Sequence, residues 1–121
     1  MTKISKGELK HDEGVEGIVR RLHLSDAHYD SIAPKYEYEF QNKTYEIDVV
    51  ACLGDDIIVF EYKTHDLSKK RIKAMQQLQT AKKYLSRFRD ASYIKTFYVH
   101  DEITYDHTGL TYEWATESDE E

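Results

Sequence analysis

Twelve residues separate Asp48 from Glu61, and they read as two apolar runs that meet at Gly54-Asp55. Folded as a hairpin, with Gly54-Asp55 as a two-residue loop or Leu53 to Asp56 as a four-residue one, the segment has a single register. Cys52 then faces Ile57, Val50 faces Val59 and Asp48 faces Glu61. Side chains directly opposed on an antiparallel pair have Cβ atoms roughly 4.5 to 5.5 Å apart, and like charges placed there destabilise the sheet. A divalent cation turns that repulsion into ligation, because a hard ion such as Mg²⁺ takes one or two carboxylates and keeps the rest of its shell for water and phosphate oxygens. Lys63 follows Glu61 by two positions and shares its side of the strand. Two carboxylates and a lysine that converge in this way suit metal-assisted phosphodiester hydrolysis: the ion polarises the phosphodiester and acidifies water, and the ammonium orients the attacking water or steadies developing charge. The bland alternative makes Lys63 a surface partner of Glu46, an ion pair worth under about 1 kcal/mol.

The elements that must hold these residues can be read from hydrophobic period. Val15, Ile18, Val19 and Leu22 recur at helical spacing within residues 7 to 23, a helix weakened by Gly14 and Gly17. Residues 23 to 35, with Ser25, Asp26, Asp30, Ser31 and the single proline, Pro34, read as a loop. From Tyr36 the period becomes two: Tyr36, Tyr38 and Phe40, then Tyr45, Ile47, Val49 and Ala51, then Ile58, Phe60 and Tyr62 define three strands of an antiparallel meander with turns at Asn42-Lys43 and Gly54-Asp55. Strict alternation would make one sheet face acidic, with Glu37, Glu39, Glu46, Asp48 and Glu61 around Lys63, and leave the other as the core. Ser68 caps a helix to about Phe88 with Ile72, Met75, Leu78, Ala81 (or Lys82) and Leu85 as its stripe, and Tyr93 to Val99 and Leu110 to Trp114 supply further strands. The expected fold is α/β, a mixed central sheet made of the meander plus further strands and flanked by helices. It forms a single domain over 1–115, followed by a flexible acidic tail at 116–121.

Composition narrows the partners. The chain has 121 residues, 33% of them charged, and a formal net charge of −6. That charge is unevenly spread: residues 63 to 89 hold nine basic residues and one acidic residue, so this segment is +8 and the remainder −14. Such asymmetry permits a local phosphate-binding stripe on an acidic protein, with Lys69, Lys70, Arg71 and Lys73 at its head; a solvated helix face is the competing explanation. The lone Cys52 allows no internal disulfide, and no apolar run reaches the roughly 18 residues a membrane span needs. An intracellular setting, in the cytoplasm of the organism or of a host cell, and no membrane partner are the corresponding expectations. His23, Asp26 and His28 lie close together but lack a fourth ligand at structural-zinc spacing. His65 continues the Glu61, Lys63 side and is a candidate to touch substrate.

The run Tyr45-Glu46-Ile47-Asp48-Val49-Val50, the spacing to Glu61 and the strand Ile57-Ile58-Val59-Phe60-Glu61-Tyr62-Lys63 resemble the core of PD-(D/E)XK nucleases, and the spacing of Glu16, Asp48, Glu61 and Lys63 in so short a chain is most similar to archaeal and archaeal-virus Holliday junction resolvases. The resemblance covers about residues 7 to 100. It implies a restriction-endonuclease-like core, Mg²⁺ or Mn²⁺ as cofactor, Asp48, Glu61 and Glu16 as metal ligands, Lys63 as the fourth catalytic residue, DNA, including branched DNA, as substrate, and a homodimer. Glu13 competes with Glu16 as the helical ligand. Ile47 stands where the motif has proline, a position with no side-chain role. The acidic balance departs from the basic character of the resolvases, and Gln79 and Tyr84 are one residue too far apart for the Gln-x-x-x-Tyr pattern of RecB-type exonucleases. A RecB-type or restriction-like nuclease, and a non-catalytic binding or assembly module on the same fold, are the alternatives.

Overall fold

A computed structural model describes residues 6–100 and, as backbone, 103–106 and 111–112. Helix α1 spans Lys6–Leu24, and its Val15, Ile18 and Leu22 form the buried stripe that the period predicts. Gly14 is no defect in it. A Cβ there would lie 2.1 Å from the Tyr62 ring, so the missing side chain is what lets α1 lie close against the sheet. The loop expected to Lys35 is shorter: strand β1 runs Ser31–Phe40 and takes in Pro34. Proline is tolerated there because β1 is an outer strand among the described residues, paired on one side with β2 (Lys43–Leu53), and an edge leaves room for a residue without an N–H.

The β1–β2 turn is Gln41-Asn42, not Asn42-Lys43. Both residues have positive φ, 52° and 64°, the left-handed pair of a type I′ hairpin turn, which asparagine adopts more readily than lysine. Tyr38 therefore faces Tyr45 and Glu37 faces Glu46. The second hairpin, to β3 (Asp56–Lys63), has the expected register, with Cys52 opposite Ile57 and Val50 opposite Val59 around a Gly54-Asp55 loop in which Gly54 has φ +60°. Its last paired residues are Val49 and Phe60. Asp48 and Glu61 lie one step beyond, where the strands stop pairing as a ladder.

Alternation of faces also breaks at Asp48. Val49 and Ala51 pack with the α1 stripe, whereas Ile47 joins Val50 and Val59 on the opposite face, although Ile47 and Val49 have the same parity. The neighbouring position of β1, Lys35, has φ 52°, so both strands are locally distorted at the same level. The acidic open face expected from strict alternation is accordingly absent from the described sheet. Helix α2 (Ser68–Leu85) covers that face, packing across β3 and β4 (Ile94–His100). A crossover helix between parallel strands buries both faces of those strands, which is why Ile57-Ile58-Val59-Phe60 reads as a continuous apolar run.

In α2 the buried residues are Ala74, Leu78, Ala81 and Leu85; Ile72, expected in the stripe, is 59% exposed. Leu67, not Ser68, occupies the N-cap position, and no side chain caps the helix. A 3-10 turn, Ala91–Tyr93, leads into β4, which runs parallel to β3. Two short antiparallel strands, β5 (Ile103–Asp106) and β6 (Thr111–Tyr112), complete a sheet of order β1-β2-β3-β4-β5-β6. Of the strand expected at Leu110 to Trp114 only Thr111 and Tyr112 are described, and the tail at 116–121 lies outside the described residues. The fold is thus α/β, a mixed sheet between two helices. Neither described helix is long and apolar enough to cross a membrane.

Candidate active site

The end of the β2–β3 ladder places two acids in the interior. Asp48 and Glu61 are each only 4% exposed. In place of a ladder bond at that level, the Asp48 side chain bonds the next strand itself: Oδ2 accepts the Tyr62 N–H at 2.7 Å. Glu61 is pushed well above the usual carboxylate range, first by burial and then by the negative charge of Asp48; Lys63 acts in the opposite sense. The Lys63 Nζ lies 3.9 Å from Glu61 Oε2 and its side chain is 16% exposed, so the cation reaches the pair with little water around it. Asp48, Glu61 and Lys63 therefore line one cavity of about 320 Å³, although the ladder ends at Val49 and Phe60 and the directly opposed Asp48–Glu61 pair expected from the register is not formed.

Two further residues enter this cavity that the sequence reading missed. From α1 comes His11, whose Nε2 is 3.2 Å from Asp48 Oδ2. The hydrogen bond to Asp48 raises the imidazole above its ordinary value, and the Tyr62 backbone adds to the rise, while burial and Lys63 oppose it. The signal was present: His11 precedes Val15, Ile18 and Leu22 by four, seven and eleven residues and so extends the buried stripe by one turn. From α2 comes Gln77, flanked by buried Ala74 and Leu78, whose Oε1 is buried with no hydrogen-bond partner among the described residues. Tyr38, Thr44, Tyr45 and Glu46 complete the lining.

Other candidates lie elsewhere. Glu16 is exposed and borders a separate cavity of about 650 Å³, together with Asp12, Val19 and Lys35, and Asp12 pairs with Lys35 at 3.0 Å. Glu13 is also exposed and borders a cleft with Gly17 and Arg21. Helical spacing explains both: the residue of α1 on the line to Asp48 is His11, and Glu13 and Glu16 lie off that line. Glu37 and Glu39 are exposed on β1 and do not line the Asp48 cavity. His65 is exposed beyond the end of β3 and does not line it either. Lys69, Lys70 and Lys73 are exposed on α2, and Lys70 and Lys73 precede Gln77 by seven and four residues, on the flank that leads to the cavity. Arg71 is engaged: its guanidinium bonds Asp66 through Nε at 3.0 Å and through Nη2. Asp66 also accepts from the Tyr98 hydroxyl at 3.0 Å and lies 3.4 Å from His100 Nε2, so this carboxylate, held below its usual range chiefly by Arg71, pins the loop after Lys63 to β4.

Among the described residues no three His, Cys, Asp or Glu side chains already stand in the arrangement of a metal site. The donor chemistry nevertheless fits a divalent cation. Two buried carboxylates stand side by side with the Lys63 ammonium near Glu61 and the His11 imidazole against Asp48, and Gln77 adds a buried oxygen acceptor with no hydrogen-bond partner among the described residues. Asp48 and Glu61 would hold the ion, a number of protein ligands that Mg²⁺ accepts while keeping several waters. The sequence matches no family model, no curated protein and no solved structure.

Proposed function

We propose that the chain is a metal-dependent deoxyribonuclease with a restriction-endonuclease-like core, a phosphodiester hydrolase whose site is Asp48, Glu61 and Lys63. One observation carries this reading: two carboxylates, each 4% exposed, lie at the end of one hairpin with the Lys63 ammonium 3.9 Å from one of them. Burial of like charges is costly unless they are paired or coordinate a metal, and buried acids of perturbed protonation in a cleft are candidates for a functional site. A divalent ion, Mg²⁺ or Mn²⁺, would supply positive charge to the scissile phosphodiester and acidify water. Asp48 and Glu61 hold it. The Tyr62 N–H fixes Asp48, so the carboxylate is oriented before any ligand arrives. Lys63, poorly hydrated in its cavity, orients the attacking water or stabilises charge on the phosphate in the transition state.

The exposed Lys69, Lys70 and Lys73 on α2 are the backbone contacts this reading assigns, on the helix that also carries Gln77 into the cavity. DNA, including branched DNA of the four-way-junction kind, is the proposed substrate and a homodimer the proposed working form. A second reading draws on the position of Glu16: with no acid of α1 in the cavity, the fold would serve as a non-catalytic module that binds nucleic acid. Labelled four-way junction, flap, single-stranded and duplex DNA, incubated with the protein in Mg²⁺, Mn²⁺ or EDTA, separates the two. Cleavage in metal that stops in EDTA supports the nuclease; binding with no cleavage of any substrate supports the module.

A further inference from the structure

We propose that the aromatic cluster shared by β1, β2 and the C-terminal end of α2 is a stacking platform for the unpaired bases of a DNA strand, and that the site beside it takes DNA with a single-stranded stretch next to the bond that is cut. The proposal rests on the nuclease reading above and deepens it by naming the substrate class. The rings form a continuous track that starts at the cavity. Tyr45 and Tyr38 line that cavity with Asp48 and Glu61, and they stack with centroids 5.3 Å apart. Tyr38 meets Tyr84 of α2 at 4.5 Å, and Tyr84 meets Phe88 at 5.3 Å, with Phe40 flanking Tyr84 at 6.2 Å. The helix traces the same line: Gln77, which enters the cavity, is followed at helical spacing by Ala81, Tyr84 and, in the turn just past the helix end, Phe88.

The track rises out of the core as it leaves the cavity. Tyr38 is buried, Tyr45, Phe40 and Tyr84 are half-buried, Tyr36 on the same side of β1 is exposed, and Phe88 is 68% exposed. Packing accounts for the buried end and not for a phenyl ring in water. Unpaired bases stack on such rings whatever their sequence, because every base has a π-face, whereas a duplex keeps its bases within its own stack. Charge fits the same occupant. Lys43 stands opposite Phe40 in the β1–β2 register, the Arg87 guanidinium lies 5.9 Å over the Phe40 ring, and Lys83 precedes Arg87 by one turn. These cations can meet the phosphates of a strand whose bases lie on the rings. Glu37 and Glu39 alternate with Tyr36, Tyr38 and Phe40 and so lie on the other side of β1.

Fluorescence anisotropy with the full chain, in Ca²⁺ and in EDTA, tests the platform through the bases alone. The labelled probes are a thymidine oligomer about 12 nucleotides long, within the roughly 4 to 16 nucleotides that single-strand sites cover, and an abasic phosphodiester chain of the same length. The wild type is expected to bind the thymidine oligomer at least about tenfold more tightly than the abasic chain. Phe88→Ala should lose at least about fivefold on the thymidine oligomer and leave the abasic chain unchanged, and Phe88→Trp should restore the loss. Circular dichroism establishes that both variants fold, and sedimentation follows their self-association. Equal affinity of the wild type for the two chains, or binding of neither, overturns the platform. So does a Phe88→Ala change that weakens self-association and leaves the thymidine oligomer bound as before, since Phe88 is then a contact between copies. Cleavage in Mg²⁺ or Mn²⁺ is measured separately. Base-independent binding with cleavage refutes the platform and leaves the nuclease standing, whereas base-dependent binding that Phe88→Ala weakens, with no cleavage of any DNA, supports the platform and removes the nuclease reading.

Discussion

Asp48 and Glu61 look equivalent in the sequence and are not equivalent in the fold. Asp48 receives the buried Tyr62 N–H, whereas Glu61 is held against both desolvation and its neighbour's charge. In metal-free protein Asp48→Ala should therefore destabilise by about 1 to 3 kcal/mol, the cost of stranding a buried donor. Glu61→Gln should be neutral or stabilising, because it removes one of two adjacent like charges. The sign with pH follows from the same cause. Glu61 has a folded pKa above its unfolded value, so the folded state binds the extra proton between the two, and stability falls as pH rises through the folded value. Denaturant titrations in EDTA at pH 5 and pH 8 should show a wild-type loss toward pH 8 that is smaller in Glu61→Gln; equal slopes would mean that Glu61 ionises freely in the folded protein. At this scale the acids and Lys63 were legible because hairpin register depends only on loop position. His11 and Gln77 were not, because a polar residue at the end of an apolar stripe carries no mark of its partner until the helix is docked.

Helix α1 positions His11, and its two internal glycines make opposite predictions. Gly14→Ala puts a methyl group into the Tyr62 ring and should cost about 1 to 3 kcal/mol by overpacking while lifting His11 from Asp48. Gly17 has no atom within 4 Å of a would-be Cβ, so Gly17→Ala should stabilise the helix by about 0.5 to 1 kcal/mol. Chemical denaturation of the two variants distinguishes them; equal effects would mean that close approach of α1 to β3 does not limit the site. Both glycines look alike as helix weakeners in the sequence, and only the distance to Tyr62 separates them. Strand β1 carries the same lesson, since Pro34 reads as a breaker until β1 is known to be an outer strand. The face exchange at Asp48 was hidden as well, because period-two reasoning assumes an undistorted strand and Lys35 at φ 52° sits beside that position.

Across the molecule, charge is separated: an acidic chain carries a basic segment over 63 to 89. The mixed α/β class and the order helix, meander, helix, strand followed from changes of period, whereas the covering of both sheet faces did not, because buried Val, Ile and Phe serve either a single-faced or a double-faced sheet. If the exposed lysines of α2 meet DNA phosphates, changing Lys69, Lys70 and Lys73 to Glu should flatten the log-affinity against log-salt slope by roughly one unit for each phosphate that is no longer neutralised. Arg71→Ala should change the slope less, since its guanidinium is engaged with Asp66. An unchanged slope in the triple variant would make α2 a solvated face and move the DNA path elsewhere.

The most direct test of the whole account is cleavage by Lys63→Ala beside the wild type, on whichever labelled DNA the wild type cuts, with metal and DNA binding measured on the same preparations. Lys63 ligates no ion in this account and acts only on the attacking water or the transition-state charge, so the variant should bind metal and DNA within about threefold of the wild type and lose at least about a hundredfold in rate. Full-rate cleavage by Lys63→Ala, or cleavage by the wild type undiminished in EDTA, would contradict the assignment of Asp48, Glu61 and Lys63 as the active site.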